Sequence, residues 1–197
     1  MRHAKIQLSP AEENLLSNAD VILTKNRVLA KIKTLMERVQ EAQLEHAATF
    51  SNVHVFDTTP KISRGENYLG LPYLILDYPR VFKPGGIFAI RSFFWWGRFF
   101  SSTLHLSGNY KALYAAQLAD AFPTFSKHHI SINADPWQHH FEPDNYIPVS
   151  ALVHEDFKKL VQAHDHLKLA IKMPVANWVD ADAFLFENWK LFLQVLF

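Results

Sequence analysis

The run FFWWGRFF, residues 93–100, places six aromatic side chains in eight positions and interrupts them only with a glycine and an arginine. Such a run occurs in membrane spans, in recognition surfaces and in sheet cores. A spanning helix needs about 20 predominantly apolar residues with few charges. The most apolar window, residues 87–106, contains Arg91, Arg98 and His105. The sequence therefore predicts no membrane span here.

The same run is typical of a β-hairpin, because Gly97 can adopt the positive φ that a two-residue turn requires. The first strand is then apolar on both faces apart from Arg91 and Ser92, which is typical of an interior strand in a covered sheet. We expect Phe93 to be buried. The alternative is that Trp95, Trp96 and Phe99 protrude at the tip as an interaction surface. With a two-residue turn, one face carries Phe88, Ile90, Ser92 and Phe94 beside Phe99, Ser101, Thr103 and His105, and the other carries Ile87, Ala89, Arg91, Phe93 and Trp95 beside Phe100, Ser102, Leu104 and Leu106.

Helical patterns flank the hairpin on both sides. The capping-box sequence SPAE at residues 9–12 predicts a short helix that ends at about Asn18. Apolar residues at helical spacing predict a long helix over residues 20–47 and a buried C-terminal helix over the last 18 residues or so. Together these features predict an α+β fold with a mostly antiparallel sheet. The sheet is built around the central aromatic hairpin, about residues 87–106, and the long N-terminal helix and the C-terminal helix pack on it.

The sequence signals for the remaining elements are weaker. Strands are predicted over 72–78, 129–133 and 166–173, the last with the alternation of a half-exposed strand, and helices over 109–122 and 150–164. Residues 51–72 look irregular apart from a short strand at 53–56, and 135–148 is a loop. We expect a single globular domain over residues 1–197, with 1–8 as a loosely ordered tail.

Composition narrows the classes of function. The chain has no cysteine, which excludes disulfides, cysteine-ligated zinc and thiol nucleophiles. The net charge is +1 without a basic block, so we expect no nucleic-acid partner. The N-terminus lacks the apolar region of a signal peptide, which predicts a cytoplasmic protein. The histidine pairs at 128–129, 139–140 and 164–166 have no diagnostic ligand spacing. We therefore predict no metal site, and no cofactor is indicated.

Isolated polar residues in the apolar strands mark a candidate site. Arg91 either reaches the sheet edge with its guanidinium or clamps an anion. If Tyr78 opposes Ile87 in the sheet, Asp77 and His105 share a face with Ser101 and Thr103. A carboxylate beside an imidazole can orient a general base.

These residues favour a binding module for a small molecule or an anion, with an aromatic-lined pocket between the sheet and the long helix. The predicted ligand-binding residues are Arg91, Trp95, Trp96, His105 and Tyr78. One alternative is a hydrolase-like enzyme with Asp77 and His105 as its catalytic residues. A second alternative is a homo-oligomeric interaction protein, because the apolar stripe of the long helix repeats over three heptads and could form a homodimer.

Overall fold

A seven-stranded antiparallel sheet organises the chain in the computed structural model, which describes residues 6–50 and 52–197. The strands are β1 (Lys61–Tyr68), β2 (Leu71–Lys83), β3 (Gly86–Trp95), β4 (Phe99–Ser107), β5 (His129–Ser131), β6 (Tyr146–Pro148) and β7 (His166–Pro174). Their spatial order is β1-β2-β3-β4-β7-β5-β6. The aromatic hairpin β3–β4 lies inside this sheet, and helices pack on it, so the predicted α+β fold is confirmed.

The hairpin turn has three residues instead of the expected two. Trp95 pairs with Phe99, and the N–H of Arg98 donates to the carbonyl of Trp95 across Gly97, whose φ is 67°. A shift of one residue moves every side chain of the second strand to the other face. The predicted division into faces is therefore wrong for β4: Phe100 lies beside Phe94, and Thr103 lies beside Arg91.

The described residues form five α-helices: α1 (Pro10–Ser17), α2 (Ala19–Ala47), α3 (Gly108–Asp120), α4 (His154–Ala163) and α5 (Ala181–Leu196). Three of them, α2, α3 and α5, cover one face of the sheet, which we call the helical face. Ile32 and Met36 of α2 pack there with Phe94, and Trp189 of α5 packs with Phe88 and its neighbours. Helix α3 contributes Leu118 to the same core.

The two terminal helical predictions are confirmed. Ser9 and Glu12 form both hydrogen bonds of the capping box at the start of α1. Helix α5 buries Leu185, Trp189 and Phe192 completely within its own domain, which is the intramolecular docking that its apolar surface predicts. None of the described helices combines the length and the apolar character needed to cross a membrane.

The predicted secondary structure is wrong between α2 and β2, and also in the predicted loop 135–148, whose last three residues form β6. Residues His54–Phe56 form a 3-10 helix instead of a short strand, and β1 occupies part of a segment that looked irregular. Strand β1 pairs with β2 along only one edge and is largely exposed. A polar edge strand of this kind lacks the apolar alternation that identifies a half-buried strand. Of the predicted loose tail, residues 1–5 lie outside the described chain, and residues 6–8 are exposed coil.

The other face of the sheet lies beneath a loop of residues 133–145, between β5 and β6. Tyr68 from the end of β1 contacts this loop. We call this side the loop face. Apolar residues occupy its hairpin end, where Phe93, Trp95 and Phe99 are buried. Polar residues occupy the remainder, and these form the candidate site.

Candidate functional site

Polar side chains from four neighbouring strands converge on the loop face. Asp77 of β2 pairs with Arg91 of β3, which pairs with Thr103 of β4, while His105 of β4 lies opposite Lys168 of β7. Directly opposed residues of antiparallel strands place their Cβ atoms about 4.5–5.5 Å apart. The strand register thus brings a carboxylate, a guanidinium, an imidazole and an amine together beneath the 133–145 loop.

The sequence-based register of β2 was also wrong, because Asp77 opposes Arg91 and Tyr78 does not oppose Ile87. Asp77 and His105 nevertheless share a face, as expected. The wrong β2 register places Asp77 on the wrong face of β3, and the wrong turn length does the same for His105, so the two errors cancel.

Arg91 and Asp77 form a bidentate ion pair. Nε of Arg91 donates to Oδ1 of Asp77 at 2.7 Å, and Nη2 donates to Oδ2 at 2.8 Å. The remaining terminal nitrogen lies 3.0 Å from Nε2 of His139 in the loop. Both carboxylate oxygens therefore face the guanidinium, and the arginine head is held inside the site instead of reaching the sheet edge.

His105 does not bond to Asp77 anywhere in the described hydrogen-bond network. The residue is 5% exposed, its Nε2 atom has no described partner, and its ring packs against those of Trp137 and His166. A general base oriented by a carboxylate needs a hydrogen bond between the two groups. The geometry gives the hydrolase hypothesis no support, because Arg91 occupies both oxygens of Asp77.

Lys168 is the most deeply buried charged residue in the site, with 1% of its surface exposed. Its Nζ atom donates to the carbonyl oxygen of Gln138 and lies 5.1 Å from the centre of the Tyr146 ring. Alternation on β7 predicted an exposed lysine here. That prediction is wrong because the 133–145 loop covers this strand, which leaves Lys172 exposed and Lys168 enclosed.

The loop is fastened to the sheet at several points. The hydroxyl of Tyr68 accepts hydrogen bonds from the N–H groups of His139 and His140, at 2.6 and 3.0 Å. The loop ends approach each other, because the N–H of Ile132 donates to the carbonyl of Asn145 at 2.8 Å. Compact loops with adjacent ends are frequently functional. This loop forms the roof of the polar site.

Burial controls protonation beneath the loop. Desolvation, reinforced by the charge of Arg91, lowers the pKa of Lys168 to about 7. Burial and the neighbouring Lys168 lower the pKa of His105 to about 3, and the same two causes lower that of His166 to about 4. Burial also holds the pKa of His139 well below its usual range. At neutral pH these imidazoles are uncharged, and Lys168 is the group of the site whose charge changes near that pH.

The aromatic residues predicted to bind a ligand do not share this site. Trp95 is buried on the loop face, where its indole N–H donates to the carbonyl of Tyr68. Tyr78 stacks on Trp189 on the helical face, with ring centroids 6.3 Å apart. Trp96 lines an open groove between α2 and the sheet. Of the five predicted ligand-binding residues, only Arg91 and His105 lie in the polar site beneath the 133–145 loop.

Three residues of the cluster were missed from the sequence. Lys168 had the strand alternation of an exposed residue, and His139 and His166 belong to pairs that were considered only as metal ligands. The signal in the sequence that could have indicated them was the concentration of histidine and lysine residues in 135–148 and on β7. We define the basic cluster as Asp77, Arg91, His105, His139, His166 and Lys168.

Within the described residues, no group of three or more histidine, aspartate or glutamate side chains is arranged to hold a metal ion. No protein-family model, curated protein or solved structure matches the chain. The function therefore has to be argued from the geometry of the site.

Proposed function

We propose that the protein binds a small anionic molecule, bearing a carboxylate or phosphate group, at the basic cluster beneath the 133–145 loop. One observation carries this proposal: the largely buried Arg91 and the fully buried Lys168 share one cluster, and Arg91 alone is paired with its buried carboxylate, Asp77. Arg91 uses both oxygens of that carboxylate. Lys168 has only a neutral carbonyl as its acceptor in the described chain.

The exposed carboxylate of Asp135 in the loop also acts on Lys168, but Lys168 has no buried anionic partner among the described residues. A bound anion would supply one. An ammonium group removed from water is stabilised by an anionic partner with good geometry, and hydrogen bonds between charged groups are about twice as strong as neutral ones. A bound carboxylate or phosphate oxygen would replace the carbonyl of Gln138 at Nζ of Lys168. The loop that supplies this carbonyl would therefore move when the ligand enters.

Neighbouring groups fit the same kind of ligand. The Nε2 atoms of His105 and His166 have no hydrogen-bond partner among the described side chains, and a neutral imidazole can present either a donor or an acceptor there. Trp137 is about half exposed, at 49%, and its ring contacts His105. This indole forms an apolar wall at the outer side of the cluster, and its fluorescence would report ligand entry.

Titration calorimetry with inorganic phosphate and with citrate, against chloride at equal ionic strength, tests the proposal. We expect the Lys168→Met variant to weaken binding at least about tenfold, as for loss of a charged hydrogen bond. The matched control is Lys172→Met, because Lys172 lies on the same strand and face but is exposed, with its Nζ atom 5.0 Å from the centre of the Phe141 ring. It should bind like the wild type.

The wild type provides an independent measurement. Because burial lowers the pKa of Lys168 to about 7, anion binding should take up protons and strengthen as the pH falls from about 8 to 6. Side-chain resonances of His105 and His166 should shift during a phosphate titration. Absence of binding by both anions to the wild type, or equal binding by Lys168→Met, would refute the proposal.

A further inference from the structure

The apolar core on the helical face consists of two clusters of buried side chains. In the first, which we call the Phe94 cluster, Phe94 packs with Met36 of α2. In the second, which we call the Trp189 cluster, Trp189 of α5 packs with Phe88 of β3. Helix α2 and strands β3 and β4 each contribute residues to both clusters. The boundary between the two clusters therefore crosses these three elements.

Both strands of the hairpin carry a serine at this boundary. Ser92 of β3 lies between Phe94 and Ile90, which belong to different clusters, and Ser102 occupies the equivalent position on β4. Residues two apart on a strand face the same side of the sheet, so both serines lie on the helical face. The two are direct partners in the β3–β4 pairing, which places their Cβ atoms about 4.5–5.5 Å apart. The boundary thus begins with a pair of hydroxyl groups.

Gln43 marks the same boundary on helix α2. It lies four residues after Val39 of the Phe94 cluster and four residues before Ala47 of the Trp189 cluster. Residues four apart share one face of a helix, so Gln43 belongs to the buried stripe of α2. Gln43, Ser92 and Ser102 are each 0% exposed. Three elements consequently change from one cluster to the other at an uncharged polar residue.

The polar atoms of these three side chains have no hydrogen-bond partner within the described chain. They are Oε1 and Nε2 of Gln43 and the Oγ atoms of Ser92 and Ser102. Buried polar atoms in proteins nearly always bond to protein or to ordered water. The apolar residues on both sides of the boundary supply no donor or acceptor side chain. These four atoms therefore require a partner that reaches the interior of the core.

Water has the chemistry that this set of atoms needs. The amide of Gln43 offers two donors and an acceptor, and each hydroxyl can donate and accept. A buried water molecule typically makes about three hydrogen bonds to otherwise unpaired groups. All three side chains are uncharged, so they suit a neutral molecule better than an ion.

We propose that the boundary between the Phe94 and Trp189 clusters is an internal water site, at which Gln43, Ser92 and Ser102 hold at least one water molecule. The water joins helix α2 to the two strands of the hairpin. This site is separate from the basic cluster, which lies on the loop face. A crystal structure that resolves ordered water is the direct test: we expect a density peak within hydrogen-bond distance of both serine hydroxyls and of the Gln43 amide. A dry boundary would overturn the proposal.

The sign of a stability change provides a second test. If water is bound, Ser102→Ala removes one of its partners and should raise the equilibrium constant for unfolding about fivefold. If the site is dry, the same change removes an unpaired polar atom, so the variant should be as stable as the wild type or more stable, and the proposal fails. The control is Ser63→Ala on β1, where the serine is only half-buried. It should change the constant by no more than about twofold.

A double-mutant cycle tests whether the helix and the hairpin share the water. Gln43→Leu keeps a side chain of similar size and should also favour unfolding. Combined with Ser102→Ala, it should cost clearly less than the sum of the two single changes, because the second change removes a partner from water that the first has already released. Circular dichroism confirms that each variant is folded before its unfolding is measured. Fully additive effects would show that no molecule joins the two residues and would overturn the proposal.

Discussion

Replacing Arg91 with methionine is the sharpest test of how tightly the 133–145 loop seals the sheet. The Arg91 and Asp77 side chains are only 12% and 10% exposed, and two hydrogen bonds of 2.7 and 2.8 Å join them. Removing one partner of a buried pair leaves an uncompensated charge, which costs about 3–5 kcal/mol. That is a large share of the roughly 5–15 kcal/mol of a typical domain.

A double variant distinguishes the cost of leaving one buried charge unpaired from the contribution of the ion pair itself. Asp77→Leu combined with Arg91→Met replaces both charges with apolar groups of similar size, a change that is often neutral or stabilising. We therefore expect the double variant to be more stable than Arg91→Met alone. Guanidinium unfolding followed by circular dichroism gives the free energy of unfolding of each protein.

An exposed ion pair provides the control. Lys159 and Asp156 are 3.0 Å apart, with side chains 68% and 55% exposed. Lys159→Met should cost no more than about 1 kcal/mol, as for other surface pairs. If Arg91→Met costs as little, or if the double variant is as unstable as the sum of its single replacements, water reaches the pair and the description of a sealed site is wrong.

Other perturbations test the packing and the titration of the sheet. Phe93→Ala should lower the free energy of unfolding by about 3–5 kcal/mol, because Phe93 is 1% exposed; an unchanged denaturation midpoint would contradict its burial. Ile32→Lys should leave no cooperative thermal transition, because Ile32 is 1% exposed beneath the sheet. Gly86→Ala should lower the melting temperature, because Gly86 has φ 143° and an added Cβ would lie 2.3 Å from the Ser107 carbonyl oxygen. Stability should fall as the pH drops from about 6.5 toward 3, because unfolded histidine protonates at about 6.5 and burial lowers the pKa of His105 to about 3; His105→Phe should reduce this loss in acid denaturation curves.

The helices were predictable because their signals are local. The capping box fixes the start of α1, and the apolar stripe of α2 includes Ile32 and Met36, which the structure buries. In contrast, β1 reads KISRGENY and has neither an apolar face nor a clear alternation. Its strand conformation comes from pairing with β2, which a local pattern does not contain.

Strand register was not predictable from the sequence, even in which residues share a face. A glycine in a run of aromatic residues identifies a hairpin, but it does not distinguish a two-residue turn from a three-residue turn. That single residue decides whether Thr103 lies beside Arg91 or on the opposite face. The hairpin was therefore located correctly, while the residues sharing its faces were not.

The contrast between Lys168 and Lys172 shows why the site itself was beyond the sequence. Both lysines lie on β7, four positions apart on the same face, yet Lys168 is 1% exposed and Lys172 is classed as exposed. The difference comes from the loop, whose Gln138 carbonyl lies at Nζ of Lys168, and the loop in turn is held by Tyr68 from a strand that was not predicted. A buried amine is stabilised only where polar partners meet it. The burial of the basic cluster consequently depends on the loop that covers it. Removing the Tyr68 hydroxyl, which holds this loop, should expose Lys168 and return its pKa toward that of an ordinary lysine.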